Sequence, residues 1–148
     1  MTFARFLGID YGTKRIGLAI SDEGGKLSFP KIILLNDASL FHKLGDILKN
    51  HQIAEIVVGE SVDFSGKPNA LSGRIEVFIL KLKEKFEMPV RKQKEFLTSV
   101  EARKSKKGKK DFSYSQAHSR VKQIKSGHID ASAAALILQR YLDKRNKK

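Results

Sequence analysis

Asp10 is the residue whose setting most invites a chemical reading. It interrupts the apolar run Phe6-Leu7-Gly8-Ile9 and stands directly before Tyr11, Gly12, Thr13, Lys14 and Arg15. An ionised carboxylate set into an apolar strand costs free energy unless it is paired or holds a metal ion. Two readings are open: an Asp that ends its strand by hydrogen-bonding the following turn, or an oxygen ligand for a hard divalent cation. Two further acids pose the same question. Glu95 lies at the end of the stretch from Pro89-Val90, beside Phe96 and Leu97, where by itself it reads as a surface Glu. Asp130 stands where a last helix should begin, and a helix dipole favours negative charge there. The residues after it, Ala131, Ser132, Ala133, Ala134 and Ala135, are all small, so such a helix can approach a sheet closely. Three acids from distant parts of the chain form a site only if the fold gathers them.

The basic residues point to a partner. The 148 residues carry 29 Lys and Arg against 16 Asp and Glu, a formal charge of +13. Between Arg91 and Lys125 there are twelve basic and three acidic side chains, so +9 falls within less than a quarter of the chain. Each phosphate neutralised by Lys or Arg releases condensed counterions, which makes nucleic acid the first candidate partner. Lys14, Arg15, Arg103, Lys104, Lys106, Lys107, Lys109 and Lys110 are the natural phosphate contacts. Contacts of this kind position a backbone without reading sequence. Phe112 and Tyr114 lie among those charges, where aromatic rings either stack unpaired bases or anchor a loop. His128, two residues before Asp130, assists proton transfer or merely opens the helix; His42, His51 and His118 have no assignable role.

Other function classes fall away. The chain has no Cys, which removes a disulfide framework, a thiolate zinc site and a Cys nucleophile. Its first residues lack a long apolar stretch with a small-residue cleavage site. No run approaches the roughly 18 apolar residues of a membrane span. The expectation is a soluble, cytoplasmic protein with no membrane partner. At 41% apolar and 30% charged, the chain is expected to form a single globular domain over 1–148.

The elements that must position these residues follow from periodicity. The runs at 6–9 and 16–20, joined through Gly12, Thr13 and Lys14, read as a hairpin, and Ile32 to Leu35 adds a third strand after the Gly24-Gly25 turn. Asn36, Asp37, Ala38 and Ser39 offer caps for a helix over about 39–51. Ile56-Val57-Val58 reads as a buried strand stopping at Gly59. Leu71, Ile75, Phe78, Leu82 and Phe86 share one helix face. A strand from Pro89-Val90 toward Glu95, a helix capped by Thr98, and a last helix from about 128 to 130 complete the order. That helix should pack through Ala133, Ala134, Leu136, Ile137 and Leu138 and fray from Lys144, leaving a basic tail over 143–148. The segment around 103–116 should be a mobile basic loop. Three antiparallel strands followed by strands alternating with helices predict an α/β fold, a mixed five-stranded sheet flanked by helices.

Four blocks carry a family resemblance. They are Leu7 through Asp22, Ile56-Val57-Val58-Gly59, Leu97-Thr98-Ser99-Val100-Glu101-Ala102, and Ile129-Asp130-Ala131 through Leu142, which together cover nearly the whole chain in order. The sequence resembles the YqgF (RuvX) family of small bacterial proteins. That resemblance implies an RNase H-like fold and a nuclease related to Holliday-junction resolvases, assigned to maturation of the 5′ end of 16S rRNA from its precursor. It places a catalytic, metal-binding site on Asp10, Glu95 and Asp130, holding one or two Mg²⁺ or Mn²⁺ ions. The implied partners are structured RNA or DNA junctions and ribosomal particles, with the protein a monomer or a homodimer. A junction resolvase would need a symmetric dimer, and a non-catalytic RNA-binding assembly factor would keep the scaffold alone. The stretch Asp10-Tyr11-Gly12-Thr13 is also similar to the phosphate loop of sugar kinases and actin-type ATPases, which clamp ATP between two such domains where this chain supplies one. Two departures matter. The family often has Asp-Glu-Arg where this chain has Lys94-Glu95-Phe96, and Val-Gly-Leu-Pro where it has Val58-Gly59-Glu60-Ser61. Glu60 is thus an extra acid at a strand end, either a supplementary ligand or a solvated loop residue.

Overall fold

The computed structural model describes residues 4–60, 70–94 and 131–147. Strand β1 (Arg5–Asp10) pairs antiparallel with β2 (Arg15–Ser21), with Leu7 opposite Ile20 and Asp10 opposite Gly17. Strand β3 (Ser28–Leu35) continues the antiparallel order on the far side of β2. Helix α1 (Leu40–Asn50) leads to β4 (Ile53–Glu60), which lies parallel to β1. Helix α2 (Ala70–Phe86) leads to β5 (Val90–Lys94), parallel to β4, and helix α3 spans Ala131–Arg145. The sheet order is β3-β2-β1-β4-β5, the mixed arrangement that the pattern of runs predicts. The expected helix from Thr98 and the basic segment over 103–116 lie outside the described residues.

Strand β3 begins four residues before the run Ile32 to Leu35. Pairing partners explain the extension: Phe29 sits opposite Ile20 and Ser28 opposite Ser21. Pro30, which has no N–H to donate, is accommodated on this edge strand next to a bulge at which the register slips by the single residue Lys31. Ser39 stands at the N-cap of α1 as expected, but its hydroxyl donates to Asp37 Oδ1 at 2.7 Å and not to the helix.

The pleat sorts side chains between two cores. On one face Leu7, Ile9, Ile16, Leu18, Ile56 and Val58 pack against Leu40, Leu44 and Leu48 of α1 and Ile75, Phe78, Ile79 and Leu82 of α2. The expected α2 stripe holds, with Leu71 and Phe86 at its partly buried ends. On the other face Phe6, Ala19 and Val57 meet Ala134, Ile137, Leu138 and Leu142 of α3. Leu136, expected in the core, is 43% exposed, because it lies off the stripe that 134, 137, 138 and 142 trace at helical spacing.

Helix α3 lies almost on the backbone of the sheet. A Cβ placed on Gly8 would stand 2.7 Å from Leu138 Cβ and 3.0 Å from the Ala134 carbonyl oxygen, and one on Gly59 would stand 2.6 Å from Ile137 Cδ1. The direction of the helix follows from its contacts. Ala134 and Leu138 lie over Gly8, while Tyr141 and Arg145 meet the Phe6 ring, with centroids 6.1 Å apart and the guanidinium 4.9 Å above it. Helix α3 therefore runs antiparallel to β1 and begins at the end where β1 finishes with Asp10. Its C-terminus does not fray at Lys144. The Arg145 contact with Phe6 holds it to β1, and a 2.9 Å hydrogen bond from Asn146 Nδ2 to the Gly25 carbonyl holds it to the β2–β3 turn. Gln139 adds a bridge, accepting from Ser28 N at 2.9 Å and donating to the Lys26 carbonyl at 2.8 Å.

Gly8→Ala should lower stability by about 1–3 kcal/mol, the usual cost of overpacking a filled interface. Gly73→Ala in α2, where an added Cβ meets nothing, should instead raise it by up to about 1 kcal/mol through helix propensity. Urea unfolding of the two variants checks both signs.

Candidate active site

Strand alternation fixes which way Asp10 faces. Leu7 and Ile9 belong to the α1–α2 core, and Tyr11 packs on Phe78 with ring centroids 4.9 Å apart. Phe6, Gly8 and Asp10 occupy the opposite, α3-facing positions. Asp10 is half-buried at the last position of β1. Its cross-strand partner is Gly17, which has no side chain to crowd the carboxylate. Arg15 lies two residues along β2 from Gly17 on the same face, the diagonal position within reach of a long side chain. Lys14 is exposed in the connection from β1 to β2.

That connection is pinned from β3. Asn36 Nδ2 donates to the Gly12 carbonyl at 2.9 Å, and the Asn36 backbone N–H donates to the Lys14 carbonyl, also at 2.9 Å. Asn36, one of the helix-cap candidates, serves here as a clamp on the β1–β2 connection. Its position directly after a strand that pairs with β2 was the available signal for this clamp.

Parallel pairing aligns the carboxyl ends of β1, β4 and β5. Ile9 lies level with Val58, and Glu60 with Lys94. The ends of these strands and the N-terminus of α3 thus meet at one edge, where the helix dipole presents its positive end. The pleat separates the acids and bases there. Glu60 follows Gly59, whose Cβ position faces Ile137, and so lies on the α2 side, 3.8 Å from Lys92 Nζ. Lys92 also bonds Glu76 Oε2 of α2 at 2.7 Å, and this bond, opposed only by partial burial, holds its ammonium pKa above the ordinary value. Glu60 is therefore an ion-pair member on the face away from Asp10. Lys94 shares the pleat face of Lys92, so the Lys found where the family often has an acid removes no carboxylate from the Asp10 face.

Of the residues expected to act, the structure brings Asp10, Lys14 and Arg15 to this edge. Glu95, Asp130, Arg103, Lys104, Lys106, Lys107, Lys109 and Lys110 lie outside the described residues, as do Phe112, Tyr114, His118 and His128. The described chain stops at Lys94 and resumes at Ala131, both at this same edge. Among the described residues no group of three His, Asp or Glu side chains converges to hold a metal ion. Among them, too, no helix is long and apolar enough to cross a membrane.

Two solved structures share this architecture. Thermus thermophilus RuvC aligns over 95% of both chains with a TM-score of 0.51 at 15% identity. T. thermophilus RuvC in complex with a Holliday junction substrate aligns over 97% of this chain and 96% of the other, with a TM-score of 0.54, again at 15% identity. The fold is thus the RNase H-like α/β fold. The sequence profile of the RuvX family, described as Holliday junction resolvase, matches residues 4–144, and the chain belongs to that family. Similar relatives come from Sulfurihydrogenibium sp., 32% identical over 95% of this chain and 91% of the relative, and from Lawsonia intracellularis, 35% identical over 94% and 93%. A third, from Streptococcus mutans, is 34% identical over 95% of this chain and 98% of its own length. All three are described as candidate pre-16S rRNA nucleases.

Asn36→Ala should destabilise the protein by about 0.5–1.5 kcal/mol, the net worth of one hydrogen bond. Asn36→Asp keeps the shape but cannot donate to Gly12 and should cost at least as much. Thermal unfolding at fixed pH and salt compares them.

Proposed function

We propose that this protein is a metal-dependent endonuclease that processes the 5′ end of 16S rRNA from its precursor. The observation that carries the reading is the placement of Asp10: a half-buried carboxylate on the α3 face, at the edge where three parallel strand ends and a helix N-terminus meet. Extending the β5 pleat by one residue would put Glu95 on the face of Gln93, which is also the face of Asp10. Asp130 immediately precedes Ala131, one turn before the contact of Ala134 with Gly8. Asp10, Glu95 and Asp130 would then supply the oxygen donors that Mg²⁺ or Mn²⁺ prefers. When bound, one or two such ions supply Lewis acidity and lower the pKa of attacking water.

The chain's own residues do the remaining work. Arg15 and Lys14 hold the phosphate beside Asp10, and the Asn36 clamp keeps their loop in place. The basic segment holding Arg103, Lys104, Lys106, Lys107, Lys109 and Lys110 extends the contact along the RNA backbone. The names of the relatives support precursor rRNA as substrate; ribosomal particles as partners, a cytoplasmic location and residues 1–148 acting as one domain belong to the same proposal.

The description of the family and the junction-bound neighbour favour a second reading, resolution of four-way DNA junctions. Cleavage of precursor 16S rRNA and of a four-way junction, each in Mg²⁺ and in Mn²⁺, separates the two. Asp10→Asn should reduce cleavage at least about 100-fold, the several kcal/mol that such an ion contributes to the transition state. RNA affinity and its salt dependence should persist in that variant. EDTA should abolish cleavage by the wild type. Glu60→Gln, on the opposite face, should leave cleavage and metal affinity unchanged. Full cleavage by Asp10→Asn would leave a non-catalytic assembly factor, contaminated by another nuclease, as the better reading.

A further inference from the structure

At the other end of β1, about 17 Å from Asp10 at roughly 3.3 Å per strand residue, the α1 side of the sheet carries an open cleft of about 640 Å³. Arg5, Ile20, Ser21, Glu23, Phe29 and His51 line it. Phe29 is 52% exposed, since β3 is an edge strand and its ring projects from the face of Ile20. Such a ring is a stacking platform without a partner ring among the described residues. One cation, Arg5, lines the cleft with it. Arg5 reaches the His51 carbonyl and Glu23 Oε2, both at 3.5 Å, and Lys31 occupies the bulge beside Pro30. Burial first, then the positive charges of Lys31 and Arg5, lower the His51 pKa.

Two acids, Asp22 and Glu23, also line the cleft, so an anion has to sit on its Arg5 side. Asp22 Oδ1 already accepts from the backbone N–H groups of Lys26 and Leu27, at 2.8 and 3.1 Å. Glu23 is largely exposed, and its 3.5 Å pair with Arg5 is a surface pair of little worth. A phosphate can take its place. The volume suits one nucleotide, within the usual range of small-molecule sites.

We infer that this cleft is a second nucleic-acid contact, which receives an unpaired nucleotide with its base stacked on Phe29 and its phosphate held by Arg5 and Lys31. The inference rests on the nucleic-acid reading of the active site and adds where an unpaired strand leaves it, round the β3 edge. An exposed aromatic beside Arg5, with Lys31 two residues further along its strand, on a chain of charge +13, complements a polyanion with free bases better than it complements a second equally basic copy of the chain.

The chain has no Trp, so Phe29→Trp introduces a sole indole at the platform. Binding of a fluorescein-labelled single-stranded RNA without divalent ions is followed by anisotropy, and the indole emission is followed in parallel with unlabelled RNA. The expected result is quenching of the indole along the anisotropy isotherm. Phe29→Ala should weaken binding about tenfold, within the range of one lost stack. Lys31→Ala should weaken it and reduce the salt slope by about one ion. Glu23→Gln, which frees Arg5, should tighten binding by up to about fivefold. Binding by anisotropy with unchanged indole emission and unchanged affinity in Phe29→Ala and Lys31→Ala overturns the cleft alone. Absence of any RNA binding overturns the nuclease reading and the cleft with it. Sedimentation showing a dimer that Phe29→Ala dissociates assigns the patch to a second copy and also overturns the inference.

Discussion

The closeness of α3 to the sheet is the constraint on which the geometry of the candidate site depends. With Leu138 Cβ and the Ala134 carbonyl resting where Gly8 would carry a side chain, and Ile137 where Gly59 would, the height of the helix above β1 is set by direct contact of the helix with the glycine backbone. Protein interiors resist such displacements because they are close-packed. The first residue of α3 is consequently held at the edge where β1 ends, and any group at that helix terminus inherits the same placement relative to Asp10. The far end of the helix is fixed independently, through Arg145 on Phe6 and Asn146 on the Gly25 carbonyl. Two anchors along one rigid rod leave little freedom for sliding.

Pleat alternation then divides the polar residues at this edge into two sets with different roles. Asp10 and Arg15 occupy α3-facing positions, whereas Glu60, Lys92 and Lys94 occupy α2-facing ones. Within the second set Glu60 is paired, Lys92 being shared between it and Glu76 of α2. Such a network lets an acid and several bases crowd one sheet edge without adding to the charge that the Asp10 face must accommodate. A one-residue slip of β4 would exchange Gly59 and Glu60, drive a side chain into Ile137 and bring the Glu60 carboxylate beside Asp10. The glycine at 59 is thus a steric lock on register as well as a seat for the helix.

Much of this was legible in the sequence for physical reasons. Strand and helix periods differ, so the runs at 6–9 and 16–20 and the stripe from Leu71 to Phe86 announced their elements, and the small residues after Asp130 announced a close helix. Boundaries were less legible because tertiary partners decide them: β3 reaches back to Ser28 through its pairing with β2, and α3 continues to Arg145 because of an aromatic ring 139 positions earlier in the chain. Leu136 misled because hydrophobicity alone does not say which side of an Ala-rich helix faces inward. Of the site, Asp10 was visible as an acid in an apolar run. The Asn36 clamp was not, since a side-chain bond to a carbonyl 24 residues away leaves no periodic trace. Nor could composition say which face Glu60 takes, as that depends on the register of β4.

The strand ends and the helix terminus also settle an electrostatic problem that a nuclease of this kind would face. A polyanionic backbone must be brought against carboxylates, and like charges at close range repel strongly where water is excluded. Basic residues spread over the surface cannot offset that locally, because exposed charges more than about 8–10 Å apart are largely screened at physiological salt. Compensation has to come from groups fixed within a few ångströms of Asp10. The described residues bring three candidates to this edge: the positive end of the α3 dipole, the Arg15 side chain on the same pleat face, and Lys14 in the clamped loop. The excess charge elsewhere then adds phosphate contacts further along the strand and raises the local concentration of nucleic acid and its rate of encounter. A polyanion is attracted by the whole molecule but can be held in register with Asp10 only by the residues at this edge.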